Sequence, residues 1–127
     1  MKFLGTGSAL PKKVVSNDDL AQVMDTSDEW IRSRTGIGMR HIAVEETTTS
    51  MAVEAAEKAL ADAKISGCEI DLIIAGTISP DYIFPSLACE VQAAIGAKSA
   101  MAFDLSAGCS GFLFALANSK VCSALLE

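Results

Sequence analysis

One stretch of the sequence, Ile70 to Ile78 (IDLIIAGTI), constrains the fold more than any other. It is apolar almost without interruption and rich in β-branched residues, a pattern typical of a strand buried on both faces. Such a strand belongs to a sheet that carries helices on either side. The stretch therefore predicts an α/β protein.

The segments that flank this strand extend that prediction. A helix is expected over about Ser50 to Lys64, because its alanines and Leu60 share one face and its charges share the other. Further helices are expected over Ser86 to Ile95 and from about Ser110, with a short buried strand at Ala100 to Leu105 between them. The alternating order of helices and strands predicts layers around a mixed, largely parallel sheet.

The first third of the chain has shorter elements. A strand with glycines is expected over Lys2 to Leu10, and a helix capped by Ser16 over Asn17 to Met24. The sequence Thr26-Ser-Asp-Glu29 has the form of a capping box and predicts a second short helix. Met39 to Val44 can form another strand.

Composition excludes several classes of function. The chain has 127 residues, of which half are apolar and a fifth are charged, as expected for one globular domain. A net charge of −6 disfavours binding to nucleic acid and to anionic membranes. The N-terminal apolar stretch is too short for a signal peptide, and polar residues interrupt the longest apolar run. We therefore expect a cytoplasmic protein.

The four cysteines do not form a metal-binding pattern. None belongs to a CxxC pair, and the single histidine, His41, lies in a polar segment without an evident partner. We expect no metal site, free thiols, and a surface position for His41. The final helix is apolar on most of its circumference, so we also expect this chain to be part of a longer fold.

The sequence Asp104-Leu-Ser-Ala-Gly-Cys-Ser-Gly-Phe112 is a candidate for catalysis. A buried strand enters a run of small residues around Cys109, and a helix follows, which is the setting of a nucleophile elbow. A helix N-terminus favours thiolate over thiol, and the amide of Cys109 can help to bind an oxyanion. The alternative is a structural cysteine in a tight crossing. The other three cysteines have no comparable setting.

Thr26, Trp30 and Arg34 form a second candidate site, since their spacing places them on one face of a helix. An indole, a guanidinium and a helix N-terminus together suit a nucleotide, with stacking for the base and positive charge for phosphate. The alternative is a half-buried tryptophan covered by an arginine in a cation–π contact.

Phe84 follows the predicted central strand and can line a site near the end of that strand. Core packing is the alternative interpretation for a residue of this type. The sequence Gly5-Thr-Gly7 completes no phosphate-binding motif, and a strand with glycines explains it better.

Several motifs together resemble one family. GTGSALP, TSDEWIRSRTGI followed by RHI, then FPS, and finally DLSAGCSGF occur in the order found in β-ketoacyl-ACP synthase III, a thiolase-fold condensing enzyme. The resemblance runs from about Leu4 to the end of the chain. It implies that residues 1–127 are the N-terminal half-domain region of a thiolase-like layered α/β fold, whose C-terminal half is not in this chain.

The resemblance also implies an acyltransferase function in fatty acid biosynthesis. In this family a cysteine, here Cys109, takes an acyl group from a short acyl-CoA such as acetyl-CoA. Malonyl-ACP is then decarboxylated, and its carbanion attacks the thioester to give a 3-oxoacyl-ACP. Thr26, Trp30 and Arg34 match contacts to coenzyme A, which is a substrate rather than a bound cofactor. Phe84 resembles a residue that bounds the acyl pocket, often across the interface of a homodimer.

The family's catalytic histidine and asparagine belong to the second half of its fold, and His41 does not match that histidine. We therefore expect this polypeptide alone not to complete the condensation. Two other interpretations stay open. The chain can be a non-catalytic half-fold that serves interaction, or a related thiolase-fold enzyme of polyketide or quinolone synthesis.

Overall fold

The computed structural model describes residues 2–126, with side chains up to residue 122. The elements in chain order are β1 (Lys13–Ser16), α1 (Asn17–Ala21), α2 (Asp28–Thr35), β2 (Met39–Ile42), α3 (Thr48–Ala63), β3 (Leu72–Gly76), α4 (Leu87–Ala94), β4 (Met101–Leu105) and α5 (Gly111–Leu126). They belong to two compact units. Unit 2 is the continuous segment Leu10–Glu46, and unit 1 contains the chain before and after it.

The sheet of unit 1 has the predicted parallel arrangement. Strands β3 and β4 pair in parallel, with Leu72 opposite Met101 and Gly76 opposite Leu105. Helix α4 connects them and supplies three of the five buried apolar residues among the described residues, Leu87, Ala88 and Val91; the other two are Ala97 and Ala100. A parallel pair joined through a helix is the βαβ unit that the sequence order predicts.

The prediction that Ile70 to Ile78 is fully buried is wrong. The strand covers only Leu72–Gly76, the side chains of Leu72 to Ala75 are half-buried, and Ile78 is 71% exposed. Two cavities of about 550 and 540 Å³ lie beside the strand, one on the side of α3 and one on the side of α5. Within residues 2–126, β3 has a strand neighbour on one edge only, which explains the residual exposure.

The predicted strand over Lys2 to Leu10 is also wrong, because no residue of this segment pairs with another strand in the part of the chain that the structure describes. The segment lies on helix α3 instead. A Cβ atom on Gly5 would come within 2.5 Å of the Ala59 carbonyl oxygen, and one on Gly7 within 2.0 Å of the Ala55 carbonyl oxygen. The two glycines therefore allow a backbone-to-backbone approach that other residues would prevent.

Helix α3 is the predicted helix with shifted ends. It begins at Thr48, after Thr47 as N-cap in a capping box with Ser50, and it ends at Ala63, with Lys64 as C-cap in the left-handed conformation. Within the helix, Lys58 Nζ lies 2.6 Å from Glu54 Oε1 and forms an i,i+4 ion pair with it.

Unit 2 contains an antiparallel sheet of β1 and β2, with Lys13 opposite Ile42 and Ser16 opposite Met39. Strand β2 and the Ser16 cap of α1 confirm the predictions, while β1 was not predicted and α1 ends earlier than expected. Glu46 closes the unit, since its carboxylate accepts the amides of Lys12 at 2.9 Å and Val44 at 3.1 Å. These hydrogen bonds lower the pKa of Glu46 to about 2.

Among the described residues, no helix is both long enough and apolar enough to cross a membrane.

Candidate active site

The turn that carries Cys109 confirms the predicted order of strand, turn and helix. Strand β4 ends at Leu105, a 3₁₀ turn covers Gly108–Ser110, and α5 begins at Gly111. Gly108 has a φ of +51°, in the left-handed region that favours glycine. The amide of Ser110 donates to the Ala107 carbonyl at 3.1 Å and closes the turn.

Cys109 is exposed at this turn. It therefore does not fit the alternative of a structural cysteine hidden in a tight crossing. Cys68 is also exposed, but its thiol donates to the Ser66 hydroxyl at 3.3 Å, far in sequence from the turn. Cys89 and Cys122 are half-buried. Exposure and the position before a long helix distinguish Cys109 from the other thiols. The preference of Cys109 for the thiolate form stays a prediction.

Two contacts fix the flanks of the Cys109 turn. On the strand side, the Asp104 carboxylate accepts the amides of Leu87 at 2.9 Å and Ala88 at 2.8 Å, at the N-terminus of α4. On the helix side, Gly111 packs against Gly76, where a Cβ atom would lie 3.2 Å from the Gly111 carbonyl carbon. The turn is thus held by a charged cap before it and by close backbone packing after it.

Phe84 lies in the loop 77–86 between β3 and α4 and is 88% exposed. Core packing, the alternative interpretation of Phe84, is therefore wrong for this chain. Its neighbours Ile83 and Tyr82 are also exposed, at 99% and 61%. The peptide bond between Phe84 and Pro85 is cis. Three adjacent large exposed side chains form an apolar patch that a surface loop does not need for its own stability.

The capping box predicted Thr26 as the N-cap of the second helix, and this prediction is wrong. Ser27 is the N-cap of α2, because its hydroxyl accepts the amide of Trp30 at 3.1 Å, and Thr26 precedes it. The cap moves by one residue because either hydroxyl can serve, and Ser27 has the extended backbone that a cap requires. Thr26 still lies beside the tryptophan: both line a cavity of about 350 Å³ together with Asp25 and Ser27.

Trp30 and Arg34 lie on one face of α2, as predicted. The guanidinium carbon of Arg34 is 4.9 Å from the centre of the indole ring. A cation–π contact was expected if Trp30 were a half-buried tryptophan covered by an arginine. Trp30 is nevertheless 55% exposed, and α2 has no buried residue. The ring therefore keeps surface that a ligand can use.

Asn17, which no sequence motif marks, is the largest fully buried side chain among the described residues. Its amide donates to Asp28 Oδ1 at 2.7 Å and to the Ile37 carbonyl at 2.8 Å, and its oxygen accepts from Arg40. The bond from Asn17 and the pair with Arg32 lower the pKa of Asp28. No periodic pattern marks such a residue, because the first position of a short helix is usually exposed.

His41 is exposed, as predicted, but it has a partner: its Nδ1 lies 2.6 Å from the Pro11 carbonyl oxygen. The described residues contain no group of three or more histidine, cysteine, aspartate or glutamate side chains placed to hold a metal ion.

Known proteins resemble this chain over most of its length. A β-ketoacyl-[acyl-carrier-protein] synthase III from Streptococcus suis is 60% identical over 111 residues, which cover 87% of this chain and 34% of that protein. The solved structure of 3-oxoacyl-[acyl-carrier-protein] synthase III from Aquifex aeolicus VF5 is 54% identical, with a TM-score of 0.91 over 97% of this chain and 41% of that one. The chain matches part of a β-ketoacyl-[acyl-carrier-protein] synthase III.

The chain has the thiolase-like layered fold that its motifs predicted. It also resembles the priming β-ketosynthase of the R1128 polyketide biosynthetic pathway, at 40% identity and a TM-score of 0.87, over 91% of this chain and 35% of that one. No protein-family model matches the chain. The chain spans about a third of the length of the curated synthase III relatives it matches.

Proposed function

We propose that this chain carries the acyl-accepting nucleophile, Cys109, of a 3-oxoacyl-ACP synthase III that begins type II fatty acid synthesis. The observation that carries the proposal is the exposed thiol at a turn between a parallel strand and a long helix, in a chain that matches part of this enzyme. The donor is a short acyl-CoA, with acetyl-CoA as the simplest case, and the acceptor of the condensation is malonyl-ACP.

In the first step, the thiolate of Cys109 attacks the carbonyl carbon of acetyl-CoA. A bond forms between that carbon and Sγ, the bond to the sulfur of coenzyme A breaks, and the released thiolate takes a proton from water. The helix that begins at Gly111 favours the negative charge that develops at the carbonyl oxygen. The second step, decarboxylation and carbon–carbon bond formation, needs the histidine and asparagine that the family supplies from its other half.

The proposed site for coenzyme A is the face of α2 with Trp30 and Arg34, and the adjoining cavity at Thr26. An exposed indole offers a stacking surface for adenine, and the guanidinium offers hydrogen bonds to phosphate. Coenzyme A acts as the carrier of the substrate here, so no bound cofactor is required for the first step.

The proposal includes a homodimer in the cytoplasm. The patch of Tyr82, Ile83 and Phe84 supports association of two copies, since large adjoining apolar side chains mark contact surfaces. Sedimentation equilibrium tests this part of the proposal. A dimer that Phe84→Asp dissociates is expected, and a monomer at all concentrations would contradict it.

The decisive experiment is intact-mass spectrometry of the chain before and after incubation with acetyl-CoA, followed by peptide mapping. We expect one acetyl group on the peptide with Cys109, and none in Cys109→Ala. Cys68→Ala is the matched control, because it removes another exposed thiol away from the turn. Absence of an adduct in the unsubstituted chain, or an adduct that survives in Cys109→Ala, contradicts the assignment and favours a non-catalytic interaction module.

The same assay distinguishes fatty acid from polyketide synthesis. The resemblance to a polyketide priming ketosynthase makes a primer other than acetyl the specific alternative. Competition between acetyl-CoA and longer acyl-CoAs for Cys109 gives the preferred primer directly. With malonyl-ACP added, we expect the thioester to persist on this polypeptide and no 3-oxoacyl product to form.

A further inference from the structure

Helix α2 carries Trp30 and Arg34, but packing does little to hold this helix in place. None of its residues is buried, and Trp30 and Arg34 are both exposed. A helix of eight residues is also too short to be stable by itself. The direction in which α2 presents these two side chains therefore depends on polar contacts with the rest of unit 2.

Asn17 makes contacts that hold both ends of this helix. Its Nδ2 donates to Asp28 Oδ1 at 2.7 Å, at the first residue of α2, and to the Ile37 carbonyl oxygen at 2.8 Å, two residues after the last. An asparagine amide has two N–H donors, so both are used. Because Asn17 is only 1% exposed, water does not replace either bond. One buried side chain thus connects the beginning and the end of α2.

The sheet of β1 and β2 holds Asn17 in turn. Its Oδ1 accepts from Nη2 of Arg40 in β2, and Nη1 of the same guanidinium donates to the Val15 carbonyl of β1 at 3.2 Å. The backbone amide of Asn17 donates to the Gly38 carbonyl at 3.3 Å. The side-chain amide therefore cannot rotate without breaking several buried hydrogen bonds at once. Through Asn17, the sheet determines where both ends of α2 lie.

The other partner of Asp28 does not attach the helix to the sheet. The Asp28 carboxylate pairs with Arg32 at 2.9 Å, but both residues belong to α2, so their pair cannot fix the helix relative to its surroundings. The two side chains are also 40% and 56% exposed, and ion pairs of this kind contribute little. The hydrogen bond from Asn17 is the largest cause of the lowered pKa of Asp28, so its acceptor stays ionised.

Helix geometry relates this attachment to the candidate ligand-binding face. Successive residues of an α-helix are turned by about 100°, so Trp30 lies about 200° around the axis from Asp28, and Arg34 about 240°. The attached residue and the two candidate ligand-binding residues therefore lie on opposite faces of α2. Because Asp28 is held against Asn17, Trp30 and Arg34 are turned towards solvent, as their exposure shows.

We propose that Asn17 is a positioning residue for the binding of coenzyme A, because it fixes the rotation of α2 and with it the direction of Trp30 and Arg34. The inference rests on the proposed function for the identity of the ligand. Asn17 acts through Asp28 and Ile37 and not by contact with that ligand. Without its amide, other orientations of α2 compete with the native one. A ligand that binds one orientation alone then has a lower apparent affinity.

The test compares the affinity of the unsubstituted chain and of Asn17→Ala for coenzyme A, at a temperature where urea titrations show both to be folded. Trp30 fluorescence gives the dissociation constant. If the native orientation of α2 falls to about one molecule in ten, the dissociation constant rises about tenfold. Saturation with coenzyme A should restore the emission of the unsubstituted complex, since the ligand selects the native orientation.

Glu46→Ala is the matched control for a loss of stability alone. The Glu46 carboxylate accepts the amides of Lys12 and Val44 in the same unit, and neither belongs to α2. Its removal should lower the urea midpoint of unit 2 and leave the dissociation constant unchanged. The indole N–H of Trp30, the single tryptophan, gives one signal in nitrogen–proton correlation spectra. This signal should move in Asn17→Ala and keep its position in Glu46→Ala.

An affinity of Asn17→Ala equal to that of the unsubstituted chain overturns the inference. An equal loss of affinity in Glu46→Ala also overturns it, because stability then explains the effect. If Asn17→Ala does not fold, Asp28→Ala decides under the same criteria, since it removes one of the two attachments and should show a smaller change in the same direction. If the unsubstituted chain does not bind coenzyme A, the proposed site on α2 is refuted, and the indole signal alone decides whether Asn17 fixes the helix.

Discussion

The guanidinium of Arg34 covers one part of the Trp30 ring from 4.9 Å, and Trp30 is the only tryptophan in the chain. An exposed pair of this kind contributes about 0.5–1 kcal/mol, too little to explain the arrangement as a device for stability alone. The two side chains present an aromatic surface and a positive charge next to each other. This combination is suited to a ligand that has both a base and a phosphate.

Replacement of Arg34 by alanine should weaken the binding of coenzyme A. A hydrogen bond to a charged group contributes about 1.5–3 kcal/mol, so the dissociation constant should rise about tenfold or more. The dissociation constant is measured by titrating the chain with coenzyme A and following Trp30 fluorescence. Arg32→Ala is the matched control, since that guanidinium is paired with Asp28 at 2.9 Å on the same helix. Equal affinities of the two variants would show that Arg34 does not contact the ligand.

Replacement of Asn17 by alanine should destabilise unit 2. The buried amide connects Asp28, Ile37 and Arg40, and its removal leaves these groups without their partner at a cost of about 1–3 kcal/mol. Urea unfolding followed by Trp30 fluorescence measures the change, because the tryptophan lies in this unit. Asp18→Ala, at the next and exposed position of α1, is the control and should shift the midpoint far less. A midpoint unchanged in Asn17→Ala would refute the role of this residue.

Gly108→Ala should lower both stability and the reactivity of Cys109. Its φ of +51° costs a residue with a Cβ atom about 1–2 kcal/mol, and relaxation of that strain moves the turn. Gly96→Ala is a close control, because Gly96 has a φ of +74° and, like Gly108, open space around its Cα. We expect both variants to lose similar stability, and only Gly108→Ala to slow alkylation of Cys109 by iodoacetamide. Equal alkylation rates would show that the turn does not set the reactivity.

Asp104→Ala should destabilise unit 1 through helix α4. The carboxylate accepts two amides at the N-terminus of that helix, and loss of such a cap costs about 0.5–2 kcal/mol. Thermal unfolding followed by circular dichroism tests this expectation. Asp71→Ala is the control, since Asp71 is exposed just before β3. Equal melting temperatures for the two variants would contradict the capping role.

Asp81 should make the stability of unit 1 depend on pH at the acidic end. The amides of Thr49 and Thr48 hold the pKa of its carboxyl at about 2, below its ordinary value of 3.8. The unfolded chain therefore binds the proton more readily, so the contribution is complete above the unfolded value and is lost as the pH falls towards 2. Urea midpoints of the unsubstituted chain and Asp81→Ala should converge over this range. A difference that is constant with pH would contradict the assignment.

In unit 1, the strands and helices that a local residue pattern defines were predicted correctly. The apolar run at β3, the capped helices α3 and α4 and the small residues around Cys109 each define their own element. The prediction of a strand over Lys2 to Leu10 was wrong because a local pattern does not define a strand by itself. A strand exists only through its partner, and no property of an isolated segment shows whether a partner is present.

In the candidate sites, too, local relationships were predicted and long-range contacts were not. The spacing of Trp30 and Arg34 correctly placed them on one face, because helix geometry fixes that relationship. The roles of Asp81, Asp104 and Asn17 were not predictable, since each acts through amides or side chains that are remote in sequence. Thr26 was misplaced by a single residue, because two adjacent hydroxyl residues can both cap a helix.

The division of the chain has a consequence for the order of folding. Unit 2 is continuous, and its strand pairing joins residues no further apart than Lys13 and Ile42. Unit 1 is interrupted, so Gly5 and Gly7 reach α3 only by closing a loop that contains all of unit 2. Because closure of short loops is faster, the signal of Trp30 should reach its native value before that of Tyr82, the single tyrosine, in unit 1.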